Sequence, residues 1–291
     1  MTGNPSGSHE GNRFPKPDWD AIGESIGDRP LEALHLLWVH AAKVWAEDIR
    51  SALGPGHELR ETEHFIVVAR GDYESLPRVL AFLEACFRCI GEFLPFTTPR
   101  SLLGKCVVIL FASDDDFYEY VATYLPEDGA YGMMVGVYLN HGYGHFALPY
   151  DDMGNYEYVV SHELSHAFLS QFQLPLWLDE AITAETEHHM TGRNPYVLNR
   201  EIIRRHRAYW DAGKIDAFWT GDSFWFPDEG QELSYHLCRY VLHALQADLG
   251  SEAMAAFVER ASRDNAGFSA AADILDADLG QIVNGLLTDD R

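Results

Sequence analysis

Two histidines and a glutamate stand close together in VVSHELSHAFL, residues 159–169. His162 and His166 are four residues apart, so on a helix their rings project from one face and converge on one point. Glu163 lies about 100° further round the helix. From there it reaches a water on a bound ion without joining the ligands. The H-E-x-x-H pattern is typical of zinc hydrolases, although a chain with 14 histidines also produces such matches by chance.

A catalytic zinc site needs a third protein ligand and keeps a fourth position for water. The metzincin pattern requires Gly and His at positions that hold Leu169 and Phe172 here, which excludes that class. Downstream, the Leu174-Pro175 pair ends the first helix. A second helix then begins near Trp177 and presents two carboxylates, Asp179 and Glu180, in its first turn.

HELSH followed by PLWLDEA resembles the gluzincins, zinc peptidases whose third ligand is a glutamate on the next helix. The segments WLDE (177–180) and EAI (180–182) are similar to those of aminopeptidase-N-like and thermolysin-like members. Compact bacterial peptidase MA-like domains provide the best match. The resemblance implies Zn²⁺ held by His162, His166 and Glu180, with a linker to Glu180 shorter than in the large aminopeptidases.

A second similarity lies in SYHLC, residues 234–238. Aminopeptidase-like enzymes carry a Ser-Tyr-x-x-small segment whose tyrosine steadies the tetrahedral oxyanion. The resemblance, which covers residues 130–250, therefore implies that Tyr235 is catalytic. A tyrosine packed between helices is an equal alternative, and His236 is a neighbouring candidate.

The resulting hypothesis is a zinc-dependent hydrolase, a metallopeptidase that acts on a peptide or protein substrate with Glu163 as general base. Two alternatives stay open. One is a zinc-stabilised binding module, which the intact Glu163 disfavours. The other is a zinc amidohydrolase that acts on a non-peptide amide, which nothing in the sequence separates from a peptidase.

Residues near these motifs have alternative interpretations. Thermolysin-like enzymes have an aspartate at the position of Ala184, where it is a partner of a ligand histidine. Alanine has no acceptor, so this interaction does not carry over to the present sequence. Four later residues of the same helix are expected mostly on a solvated face, with one of them able to hydrogen-bond a ligand histidine. They are Glu185, Glu187, His188 and His189. His141 and His145 are interpreted as turn residues, with a substrate role as the alternative.

Cys86 and Cys89 form a CxxC within a helical pattern, and no second CxxC exists. A zinc site would need two such pairs, and a redox motif would need a preceding strand and turn. Core packing is therefore the favoured interpretation of the cysteines. Residues 217–231 are predicted to be an aromatic loop that walls a cleft or packs a lobe.

The periodicity of apolar residues predicts an α+β, zincin-like fold in one catalytic unit. Residues 1–16 form a flexible tail, 17–155 an α+β lobe with an edge strand, and 156–291 a helical lobe that carries the metal site. The active-site helix lies between the lobes. Besides one or two helices between Trp19 and Leu53, strands are predicted over 64–69, 106–112, 133–140 and 143–150, and helices over 75–94, 113–125, 156–172, 177–192, 195–211 and 232–250.

The 291 residues include 45 acidic and 21 basic side chains, which give a net charge of −24. Such a surface repels nucleic acid and anionic lipid, so neither is an expected partner. No apolar stretch is long enough for a membrane span, and the start of the chain lacks a secretory pattern. A cytoplasmic protein is therefore expected.

Overall fold

A computed structural model describes residues 13–97, 103–125, 136–150, 156–194, 196–247 and 250–288. The chain divides into two compact units, one that ends at Phe168 and one that begins at Leu169. Helices and a mixed sheet make up the described residues, so the predicted α+β class is confirmed.

The first unit contains a five-stranded sheet of order β1-β2-β3-β5-β4. Strands β2, β3 and β5 are parallel neighbours, while β1 and β4 pair antiparallel at the two edges. The central strands are continuous runs of buried apolar residues, as expected where helices cover both faces. The bounds are β1 His57–Glu61, β2 Phe65–Arg70, β3 Cys106–Phe111, β4 Val137–Leu139 and β5 His145–Pro149.

The helices of the first unit follow from local signals. Ser113 caps one of them by accepting a hydrogen bond from the Asp116 N–H at 3.1 Å. A core of aromatic and aliphatic side chains, with Trp45 and Phe111 at most 1% exposed, packs against the sheet. The bounds are α1 Trp19–Ile26, α2 Leu31–Leu53, α3 Leu76–Phe93, α4 Asp114–Val121 and α5 Tyr156–Leu169.

The regular secondary structure described in the second unit is helical. Its first helix begins after Pro175 and ends at Gly192, whose φ of +69° a glycine adopts without strain. The bounds are α6 Leu176–Thr191, α7 Arg200–Tyr209, α8 Ala212–Thr220, α9 Gly230–Gln246, α10 Ser251–Arg260, α11 Phe268–Leu275 and α12 Leu279–Thr288, with short 3-10 helices at Asp222–Trp225 and Arg263–Asn265.

The predicted aromatic loop over 217–231 is wrong. Its first part completes α8, a 3-10 helix follows, and α9 begins at Gly230. Phe218 and Phe224 are buried and stack on one another, so they belong to the core of this unit, whereas Trp225 is 73% exposed. The prediction failed because the spacing of aromatic residues in such a short stretch fits a loop and a helix equally well.

Several predicted segments fall partly outside the described residues, among them the helices predicted over 195–211 and 232–250. Of the predicted tail, residues 1–12 lie outside them, while Phe14 is 2% exposed and Pro15 accepts a hydrogen bond from the Trp45 indole. Of the strand predicted over 133–140, residues 133–135 lie outside them. Among the helices that the structure describes, none has both the length and the apolar character needed to cross a bilayer.

Candidate metal centre

The HELSH segment is helical, as predicted, and lies in the second half of α5. Apolar side chains of this helix, such as Leu164 and Phe168, are at most 1% exposed. The opposite positions hold His162, Glu163 and His166, all half-buried. Because the apolar face is fixed in the core, the three polar side chains are held on one side of the helix.

The structure brings the three predicted ligands together. One ligand atom from each of His162, His166 and Glu180 lies within 4.8 Å of the others. The Nε2 atoms of the two imidazoles are 3.2 Å apart, and the rings meet at an interplanar angle of 77°. Glu180 is the fifth residue of α6 and is 8% exposed. Residues that are up to 18 positions apart in sequence therefore present nitrogen and carboxylate donors to one place.

This donor set fits zinc. Two nitrogens bound at about 2.0–2.1 Å in a tetrahedral arrangement lie about 3.3 Å apart, close to the observed Nε2–Nε2 separation of 3.2 Å. Two imidazoles and one carboxylate are also a typical ligand set of catalytic zinc. A buried carboxylate is costly unless a cation compensates its charge, and a divalent ion would do so for Glu180.

Glu163 is anchored by the main chain of the sheet edge. Its Oε2 accepts a hydrogen bond from the Tyr138 N–H at 2.7 Å. Tyr138 is the central residue of β4, the edge strand, and its N–H points away from β5. One carboxylate oxygen is thus fixed by the main chain, and the other, Oε1, has no hydrogen-bond donor among the described residues.

Tyr235 lies on α9, which packs against α6. Its half-buried ring stacks on Tyr196 at a centroid distance of 5.4 Å and meets the edge of Phe224 at 5.2 Å. One turn later, burial and the Glu180 carboxylate raise the pKa of the Cys238 thiol. This part of α9 is therefore close to the third predicted ligand. The catalytic role of Tyr235 stays a prediction.

Sequence reasoning missed two features around these residues. The Tyr138 hydrogen bond comes from the main chain, so no residue type signals it. Tyr196 belongs to the connection between α6 and α7, where no motif marks it, and it supplies the ring on which Tyr235 stacks.

The solvated face predicted for the second half of α6 is wrong for its two glutamates. Glu187 is 1% exposed. Glu185 accepts hydrogen bonds from the Arg239 guanidinium at 2.7 Å and from His243 Nε2 at 2.6 Å. Burial alone raises the pKa of Glu185, but these two partners outweigh it and hold the pKa below its ordinary value. Arg239, 2% exposed, also donates to Asn194.

His145 has a structural role. It is fully buried in β5, with Nδ1 against the Tyr143 carbonyl at 2.8 Å and Nε2 against the Tyr120 hydroxyl at 2.6 Å. Burial lowers the pKa of His145 to about 4, although the hydrogen bond with the Tyr143 carbonyl by itself raises this pKa. The turn interpretation is therefore wrong for His145, which begins β5, and its full burial argues against contact with a substrate. His141 is exposed in the bend before this strand.

The cysteines behave largely as expected. Cys86 is buried, and burial raises the pKa of its thiol to about 12. Cys89 is exposed, so only one member of the CxxC packs in the core.

A second group of metal-ligating residue types lies where β2 begins. Donor atoms of Glu63, His64 and Glu84 are within 4.8 Å of one another. The two Glu84 oxygens accept hydrogen bonds from the His64 N–H at 2.8 Å and from the His64 ring at 2.7 Å. Glu63 is exposed, and the other two are satisfied by each other, so the group is an ion-pair cluster at the surface.

No model of a known protein family matches the chain, and no curated protein sequence matches it. The assignment of function therefore depends on the residues and geometry described above.

Proposed function

We propose that the protein is a zinc-dependent metallopeptidase of the gluzincin type. The observation that carries the proposal is the meeting of His162, His166 and Glu180 within 4.8 Å. A sequence motif alone would not require the carboxylate of a separate helix to reach the imidazoles. The α+β fold, in which the HELSH helix follows the sheet, is in keeping with a zincin-like arrangement.

The chain's own residues have separate tasks in the proposed reaction. Bound by the three ligands, Zn²⁺ supplies Lewis acidity to a water molecule and to the scissile carbonyl. Glu163 accepts the proton of the water at Oε1 and later delivers it to the leaving amine. The Tyr138 N–H holds Oε2 at 2.7 Å, which keeps the carboxylate oriented during both transfers. The Tyr235 hydroxyl donates a hydrogen bond to the oxyanion.

Strand β4 is the proposed docking place for an extended peptide. It is the edge strand next to Glu163, and it is antiparallel to β5. The outward N–H of Tyr138 is bound to Glu163, so a substrate strand would be held by other main-chain groups of this sheet edge. A peptide docked there would lie close to the proposed general base, which supports a peptide over a small non-peptide amide as the substrate.

The experiment is hydrolysis of a mixed peptide library by the purified protein, followed by mass spectrometry. Cleavage that a chelator abolishes and added zinc restores is expected. Zinc binding without cleavage of any peptide would contradict the proposal and support a zinc-stabilised binding module. Cleavage that survives chelation would also contradict it.

A further inference from the structure

A polar cleft lies in the first unit at the carboxyl ends of three parallel strands. Arg70 ends β2, Ala112 follows β3, and Tyr150 follows β5. The loop from Asp72 to Ser75 leads into α3 and completes the lining. The cleft has a volume of about 740 Å³, within the range of small-molecule sites. The carboxyl edge of parallel strands is also where ligands commonly bind in open sheets.

Two stacked aromatic rings form one part of this cleft. Tyr73 and Tyr150 have ring centroids 3.7 Å apart and an interplanar angle of 17°. Burial raises the pKa of Tyr73 to about 12, so this phenol stays neutral near pH 7. The faces of such rings are electron-rich and attract cations within about 6 Å of the ring centroid.

The charges of the lining residues are negative in sum. Arg70 is held by Asp72, to which its Nε donates at 2.8 Å and its Nη2 donates as a second contact. The guanidinium is therefore neutralised within the cleft. Glu74 is exposed and forms no ion pair within the described residues. One uncompensated carboxylate thus stands beside the aromatic pair.

An anion is a poor occupant, although α3 begins at the cleft. Helix N-termini bind anions through free N–H groups of their first turn. Here the Leu76 N–H donates to the Tyr73 carbonyl at 3.1 Å, and the Arg78 N–H donates to the Ser75 carbonyl at 2.9 Å. Pro77 has no N–H. With Arg70 already paired to Asp72, the cleft offers an anion little positive charge and few free donors.

We propose that this cleft, which we call the Tyr73–Tyr150 cleft, binds an organic cation, a guanidinium or alkylammonium group, between the aromatic pair and the Glu74 carboxylate. The cation comes from a free small molecule or from an arginine or lysine side chain of a peptide. The proposal does not depend on the metal centre, because none of the residues that carry it is a proposed ligand or catalytic group.

The test is a chemical-shift titration of the full-length protein, in the presence of chelator so that no probe is hydrolysed. The probes are N-acetyl-arginine amide and its neutral isostere N-acetyl-citrulline amide. We expect shifts at Tyr73, Glu74 and Ala112 with the arginine probe and at least tenfold weaker binding of the citrulline probe. Equal binding of the two probes, or no shift at these residues at millimolar arginine probe, would overturn the proposal.

Variants locate the binding. Glu74→Gln should weaken the arginine probe about two- to fivefold, because one exposed charge is lost. Tyr73→Leu should weaken it about three- to fivefold through loss of the cation–π contact. Glu92→Gln, at the exposed far end of α3, is the matched control and should bind like the wild type. Equal affinities of the Glu74→Gln and Glu92→Gln proteins would contradict the assignment.

A third probe separates the two sources of the cation. An acetylated pentapeptide with arginine between alanines is titrated beside N-acetyl-arginine amide. Binding of the peptide more than tenfold tighter identifies a peptide-borne side chain, and equal affinity identifies a free small molecule. Both results support the cleft, whereas a peptide that binds with no shift at Tyr73 contradicts it.

Discussion

The main-chain N–H of Tyr138 donates a 2.7 Å hydrogen bond to Oε2 of Glu163. An edge strand thereby orients a carboxylate that lies between the two proposed metal-ligating histidines of α5. A main-chain donor places the carboxylate regardless of which side chain residue 138 carries. This relationship makes Glu163 the sharpest target for a mutational test.

Glu163→Gln should retain zinc and lose activity by about 10²–10⁴-fold, the range supplied by a positioned general base. The amide oxygen of glutamine still accepts the Tyr138 hydrogen bond, so the local structure persists while the base is gone. The measurement is kcat on a cleaved library peptide together with zinc content. Glu157→Gln, an exposed position in the first turn of the same helix, is the control. Full activity of Glu163→Gln would exclude the general-base role.

Tyr235→Phe should lower kcat by about 10²–10³-fold, as seen when an oxyanion donor is removed. The ring keeps its stacking on Tyr196, so neither stability nor zinc content should change. Steady-state kinetics of the variant and of Tyr240→Phe, a matched change on α9, provide the comparison. Equal kcat values for the two variants would leave Tyr235 as a packing residue.

Arg239→Met should destabilise the protein by about 1–3 kcal/mol, because the half-buried Glu185 loses its guanidinium partner. Urea unfolding at pH 7 measures the change. Arg260→Met removes an exposed ion pair with Asp273 instead and should cost less than about 1 kcal/mol. A similar small effect at both positions would mean that the Arg239 network contributes little to the second unit.

Acidification from pH 7 to pH 5 should destabilise the fold through two buried imidazoles. Burial lowers the pKa of His145 to about 4 and that of His206 to about 3. In the unfolded chain both imidazoles become protonated near pH 6.5. In the folded chain they stay neutral until the pH falls to about 4 for His145 and about 3 for His206. Stability is therefore lost as the pH drops through this window. Each group contributes roughly 2 kcal/mol of that loss.

The His145→Gln protein tests this linkage directly. Its loss of unfolding free energy between pH 7 and pH 5 should be smaller than that of the wild type by roughly 2 kcal/mol. His141→Gln, an exposed neighbour, should leave the pH dependence as it is. Parallel pH profiles for His145→Gln and the wild type would contradict the buried neutral state.

Much of the fold could be predicted from local patterns. The continuous apolar runs of β2 and β3 and the amphipathic α3 were visible because burial on one or both faces fixes residue types. Strand β1 was missed because HELRE is polar, and an edge strand with exposed residues carries no apolar alternation.

The candidate site was predictable only in part. The spacing of His162 and His166 places them on one helical face by geometry alone, and Glu180 was expected from the resemblance. The ion pair of Glu185 was not expected, because its partner Arg239 lies 54 positions away and on another helix. Pairings of this kind depend on tertiary packing, which no local pattern encodes.

The most direct test of the account is the zinc content of the purified protein, measured by elemental mass spectrometry after incubation with zinc and dialysis. One zinc ion per chain is predicted for the wild type and for Asp179→Ala, the neighbour of the proposed ligand. Much less than one is predicted for His166→Ala and Glu180→Ala. A wild type without zinc, or a Glu180→Ala protein that holds a full equivalent, would contradict the three-ligand centre.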